Sequence, residues 1–89
     1  MKIIFTIHAK EKLRTDEANS LGISRKKIIE AIKHPIAVDK TLNPHRNIGR
    51  LNNTLSLAVI WREGNGIILI ITFFPAEKGR YEGKILRRR

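Results

Sequence analysis

Leu55-Ser56-Leu57-Ala58-Val59-Ile60-Trp61-Arg62, then Glu63-Gly64-Asn65-Gly66, then Ile67-Ile68-Leu69-Ile70-Ile71-Thr72-Phe73-Phe74 is the stretch that decides the fold. In its first part Leu55, Leu57, Val59 and Trp61 alternate with Ser56, Ala58, Ile60 and Arg62, the period of a strand. Its last part is almost wholly apolar and mostly β-branched or aromatic, which marks a central strand, with Pro75 as its stop. Glu63 to Gly66 carries the residues of a hairpin turn. Working upstream, Asn52-Asn53 reads as another hairpin turn, Ile48 to Leu51 as a strand, Asn43-Pro44-His45-Arg46 as a turn and Ile36 to Lys40 as a strand.

The first half has a different period. Met1 to Ile7 reads as a short strand or an extended entry. Thr6 is a helix N-cap, and one helix is expected from about Ile7 to about Ser20 with Ala9, Leu13, Ala18 and Leu21 on its inner stripe. Leu21-Gly22 supplies a C-terminal stop, because glycine adopts a left-handed conformation at little cost. Ser24 caps a second helix that faces the core with Ile28, Ile29 and Ile32 and ends near Lys33, ahead of Pro35. The expectation is an α+β domain spanning residues 1–89, with two N-terminal helices packed on an antiparallel sheet of three to five strands. A basic tail from about 78 to 89 holds one more short strand around Tyr81 to Leu86.

Eighty-nine residues make one domain with a modest core. The chain is 42% hydrophobic and has no cysteine, which excludes disulfides and thiolate metal sites and fits a reducing cytoplasm. The apolar start is too short for a signal peptide, and Gly66 to Phe74 is too short for a membrane-spanning helix. Eighteen Lys and Arg face eight Asp and Glu, a formal net charge of +10. That excess suits nucleic acid, an anionic membrane surface or an acidic protein. The two short helices need their Ile faces for the core, so RNA or the ribosome is the favoured partner and a membrane is not.

Several groups of residues could carry chemistry. His8 opens the first helix, and its imidazole is a candidate general base or acid; a helix-start histidine bonded to nearby backbone is the plainer alternative. Arg25-Lys26-Lys27 fills the first turn of the second helix, where cations oppose the helix dipole, which points either to phosphate contact or to a solvated, screened face. Arg62, Lys78, Arg80, Tyr81 and Lys84 could stabilise a pentavalent phosphate and move a proton if the topology gathers them; otherwise they form a basic rim. Arg87-Arg88-Arg89 is a candidate electrostatic tail for nucleic acid. His34, before Pro35, reads as a helix C-cap, and His45 is a weaker acid–base candidate. The scattered histidines form no metal constellation, and no nucleotide-cofactor fingerprint is present, so neither a metal nor a cofactor is expected.

The landmarks His8-Ala9, Leu13, Gly22-Ile23-Ser24, Ala31-Ile32, Pro35, Leu57 to Trp61 and Ile70-Ile71-Thr72-Phe73-Phe74-Pro75 run through most of the chain. They resemble a family of small bacterial and archaeal domains of unknown function that looks related to the BrnT and RelE/ParE toxin folds. The resemblance matches His8 and Thr72 to family positions. Lys12 stands where many members carry Arg, and Arg80 and Tyr81 match by position in the C-terminal region. It implies a RelE/BrnT-like fold and a metal-independent endoribonuclease of toxin type, in which the RNA 2′-hydroxyl attacks the adjacent phosphate. His8 would be its base or acid, Tyr81 an assisting group, and Arg62, Lys78 and Arg80 the phosphate stabilisers. An acidic antitoxin would be its protein partner. The alternatives are a non-catalytic basic nucleic-acid-binding module and a basic subunit that recognises an acidic protein.

Overall fold

The computed structural model describes residues 2–79. The chain runs β1 (Lys2–Phe5), α1 (Ile7–Leu13), α2 (Asp16–Ser20), α3 (Arg25–Lys33), β2 (Ala37–Asp39), β3 (His45–Arg50), β4 (Leu55–Gly64) and β5 (Ile67–Glu77). The five strands form one sheet in the order β1-β5-β4-β3-β2. The architecture is α+β, as the change of period implies.

Two parts of the expected fold change. The sheet is mixed rather than antiparallel, because β1 pairs in parallel with β5 while the other neighbours are antiparallel. β1 and β2 lie on opposite edges, and the three helices connect them; such a crossover lets first and last strands run the same way. There are also three helices rather than two. Thr15 interrupts the expected first helix: its side chain accepts a hydrogen bond from Ala18 N at 3.2 Å and donates to Lys12 O at 2.7 Å. A threonine that bonds its neighbouring backbone competes with helix continuation and starts a new helix, here with Asp16 and Glu17 in its first turn.

The remaining punctuation follows side-chain chemistry. Ser24 caps α3 by accepting from Lys27 N at 3.2 Å, and Gly22 sits at φ +73. β4 and β5 are joined at Asn65 and Gly66, both with positive φ (53 and 74), which is the demand of a tight hairpin turn. β3 begins at His45, earlier than Ile48, so His45 is a strand residue opposite Trp61 rather than part of a turn.

β5 does not end at Pro75 but continues to Glu77, with Pro75 opposite Leu57. β1 covers β5 only at Ile67 to Ile70, so the proline nitrogen falls where no described strand lies alongside. A strand tolerates proline on an uncovered edge because no ladder hydrogen bond is lost.

The main core joins Phe5, Ala9, Ala18, Ile28, Ala31, Leu57, Val59, Trp61, Ile70 and Phe73, so all three helices contribute to one apolar cluster with β1, β4 and β5. The opposite sheet face holds a smaller cluster of Ala37, Ile48 and Ala58, with Phe74 against it. α3 comes unusually close to β3. A Cβ added at Gly49 would lie 2.4 Å from the Ala31 Cβ, so this position accommodates glycine alone.

Buried Asn47 joins the layers. It donates to Ala31 O at 3.1 Å and accepts from Trp61 Nε1 at 2.8 Å. One amide thereby serves a carbonyl in the last turn of α3 and the indole of β4. No helix among the described residues is long and apolar enough to cross a membrane.

Candidate functional site

His8 and Lys12 are one helical turn apart on α1, so their side chains lie on the same side of it. Both reach Thr72 of β5. His8 Nε2 lies 3.3 Å from Thr72 Oγ1, and Lys12 Nζ donates to the same oxygen at 3.3 Å. Lys12 also stands 5.3 Å from the centre of the Phe73 ring. A threonine hydroxyl has one proton and two lone pairs. It accepts from the ammonium and still either donates to a neutral imidazole or accepts from an imidazolium. His8 is exposed, whereas Lys12 and Thr72 are half-buried.

A β-bulge makes this convergence. Ile60 pairs with Thr72 and Trp61 pairs with Ile70, so Ile71 is an extra residue in β5. Under strict alternation Ile70 and Thr72 would share a face. The extra residue instead sends Ile70 and Phe73 into the same core and frees Thr72 from it. Thr6 secures the bulge and starts α1 there. Its hydroxyl donates to Ile71 O and accepts from Ala9 N, each at 3.1 Å, while its backbone N–H donates to Ile70 O at 3.0 Å. The N-cap that begins α1 is thus also the link that sets α1 beside Thr72.

The other candidates scatter. Arg62 is exposed, opposite Leu69, on the rim of a hollow of about 320 Å³ that includes Ile4, Glu63 and Ile67. It is two residues along β4 from Ile60, the partner of Thr72, or about 7 Å at strand spacing. Lys78 is at the other end of β4, where its N–H donates to Thr54 O at 3.2 Å. Eight residues of extended chain, about 26 Å, separate Thr54 from Arg62, so Arg62 and Lys78 cannot serve one phosphate. The antiparallel hairpin is the reason: it returns β5 to the start of β4.

In the first turn of α3, Arg25 stacks 4.5 Å from the centre of the Phe5 ring, and Lys27 Nζ donates to Leu51 O at 3.3 Å. Lys26 is exposed. Two of these three cations therefore have contacts within the fold. His45 packs its ring 4.8 Å from Trp61, and its Nδ1 lies 3.0 Å from Leu42 O, which gives it a packing role. His34 is the C-cap of α3, with its backbone N–H on Glu30 O at 2.7 Å. Arg80, Tyr81, Lys84, Arg87, Arg88 and Arg89 lie outside the described residues, as does the strand expected around Tyr81 to Leu86. Among the described residues no group of three or more histidines and carboxylates could hold a metal ion.

The partnership of Lys12 with His8 is legible in the sequence as the helical spacing His-x-x-x-Lys, beside the resemblance that singles out both positions. Nothing local to β5 marks Thr72 as its third member. No protein-family model, curated protein or solved structure matches this chain.

Proposed function

We propose that the protein is a metal-independent endoribonuclease of toxin type, RelE/BrnT-like in fold, that acts on cytoplasmic RNA and is restrained by an acidic protein partner. The observation that carries this reading is the convergence of His8 Nε2 and Lys12 Nζ on Thr72 Oγ1. A proton acceptor and a fixed positive charge then stand within one small volume, on an exposed surface of a chain with net charge +10. Those are the two groups that 2′-hydroxyl attack on a phosphodiester requires.

In the proposed reaction His8 takes the 2′-hydroxyl proton as that oxygen bonds to phosphorus. Lys12 offsets the charge that builds on the non-bridging oxygens. The bond to the 5′-oxygen breaks, and that oxygen takes a proton, for which Tyr81, an assisting group in the resemblance, is the proposed donor. The products are a 2′,3′-cyclic phosphate and a 5′-hydroxyl. Thr72 positions both His8 and Lys12. Arg62 is near enough along β4 to meet a neighbouring phosphate; Lys78 is not.

The test is incubation of the purified protein with labelled single-stranded RNA and with ribosomes, in EDTA, beside His8→Ala. Cleavage that resists EDTA, leaves cyclic ends and falls by about 10²–10⁴ in the variant is the expected result. An unchanged rate in His8→Ala overturns the assignment. RNA that shifts on a gel but stays intact identifies a binding module instead.

A further inference from the structure

Lys27, Glu30 and Ala31 stand at i, i+3 and i+4 on α3 and so share one stripe of that helix, with the C-cap His34 beyond its end. Together with Arg50 and Leu51 at the end of β3, they line a hollow of about 370 Å³. Ala31 and Leu51 are buried beneath it. Lys27 is tethered by its bond to Leu51 O, which leaves further N–H groups of the ammonium for a ligand. Among the described residues the Arg50 guanidinium and the His34 ring form no hydrogen bond or ion pair. Among the described residues Glu30 is the carboxylate on this rim, outnumbered by Lys27 and Arg50 without counting His34.

Arg50 also borders an adjoining hollow of about 220 Å³, which includes Asn52, Ser56 and Lys78 and, among the described residues, no carboxylate. Its position explains the double role. β2 covers β3 only between Arg46 and Ile48, so Arg50 projects from a stretch of β3 with no described strand on that side.

We propose that the hollow between α3 and β3 binds a phosphate group, with Arg50 as its principal donor and Lys27 and His34 completing it. A guanidinium presents paired N–H groups that match two phosphate oxygens, while from the helix side Lys27 supplies charge and His34 a hydrogen-bonding ring nitrogen. The phosphate comes either from RNA or from a free phosphate or phosphomonoester. The RNA arm rests on the ribonuclease reading and deepens it. Thr72 and Arg50 are two strands and four residues apart in register, about 16 Å, so one RNA strand reaching both sites would span more than one nucleotide.

The test uses His8→Ala as background, so that RNA stays whole, and compares it with His8→Ala/Arg50→Gln and His8→Ala/Arg50→Gln/His34→Gln. Binding of a short labelled single-stranded RNA is read by fluorescence anisotropy across a salt series. Inorganic phosphate is titrated separately while the His34 ring resonances are followed by NMR. Arg50 is exposed, so an unchanged thermal midpoint is expected to confirm that each variant folds; Arg50→Glu gives a second, larger perturbation.

Affinity about fivefold to tenfold weaker, with a log–log salt slope shallower by about 0.7 for each lost contact, supports the site with RNA as its source. If RNA does not bind, yet inorganic phosphate shifts the His34 resonances and Arg50→Gln removes that response, the site stands for free phosphate and the RNA reading fails. If RNA binds every variant equally and phosphate leaves His34 unmoved, the site is wrong and the RNA reading survives.

Discussion

Thr72 presents one hydroxyl to two side chains, so its replacement separates chemistry from packing. Valine keeps the β-branched shape and removes the oxygen. Thr72→Val should leave the fold intact and slow RNA cleavage about 5–100-fold, the worth of the two hydrogen bonds lost with its oxygen, with kcat affected more than KM. Steady-state kinetics on a defined RNA measures it, and an unaltered kcat removes Thr72 from its positioning role. Asn47 makes a different kind of prediction. Asn47→Leu strands the Trp61 N–H and the Ala31 carbonyl in the core, at about 1–3 kcal/mol for each group left unsatisfied. Urea unfolding followed by Trp61 fluorescence should show the midpoint fall with little change in slope. His8 stands out in the sequence because a histidine at a helix start is a recognisable chemical choice. Asn47 does not, because a polar residue in a short strand looks solvated until its two partners are seen.

At the level of elements, the contact between α3 and β3 leaves no room for a side chain. Gly49→Ala would put two Cβ atoms 2.4 Å apart, with the Ala31 Cα at 2.9 Å. The helix must shift away from the strand, and overpacking of this kind costs about 1–3 kcal/mol. Thermal unfolding should show the loss, and adding Ala31→Gly should restore part of it through a coupling a double-mutant cycle can isolate. Additive effects would mean that the contact is not shared. Thr15 decides whether α1 and α2 are one helix or two. Thr15→Ala should cost about 1 kcal/mol of stability by removing the cap of α2. The hydrophobic stripe Ala9, Leu13, Ala18, Leu21 is real in the fold but spans that break, which is why periodicity alone reads it as continuous. The β5 bulge is hidden for the opposite reason. Ile67 to Phe74 is so uniformly apolar that it has no alternation to reveal the place where the faces exchange.

For the whole molecule, charge dominates what can be predicted. A formal charge of +10 on 89 residues should give RNA binding that weakens steeply with salt, and each phosphate contact contributes about 0.7 to the log–log slope for a single strand. Affinity that stays flat between low and high salt would direct the search to a protein partner. Period, caps and turns are local properties, so the sequence by itself determined the α+β class, the ends of α3, the β4–β5 hairpin and the candidacy of His8. It also determined the excess of positive charge, which is a sum over residues and needs no fold. Where those residues meet was settled by tertiary structure alone. The parallel pairing of β1 with β5, the approach of Ala31 to Gly49 and the gathering of His8, Lys12 and Thr72 depend on how segments far apart in the chain pack. So does the separation of Arg62 from Lys78, which the returning hairpin imposes. These outcomes depend on which strand edges remain open and where an extra residue turns a face, and both are set by packing between distant segments.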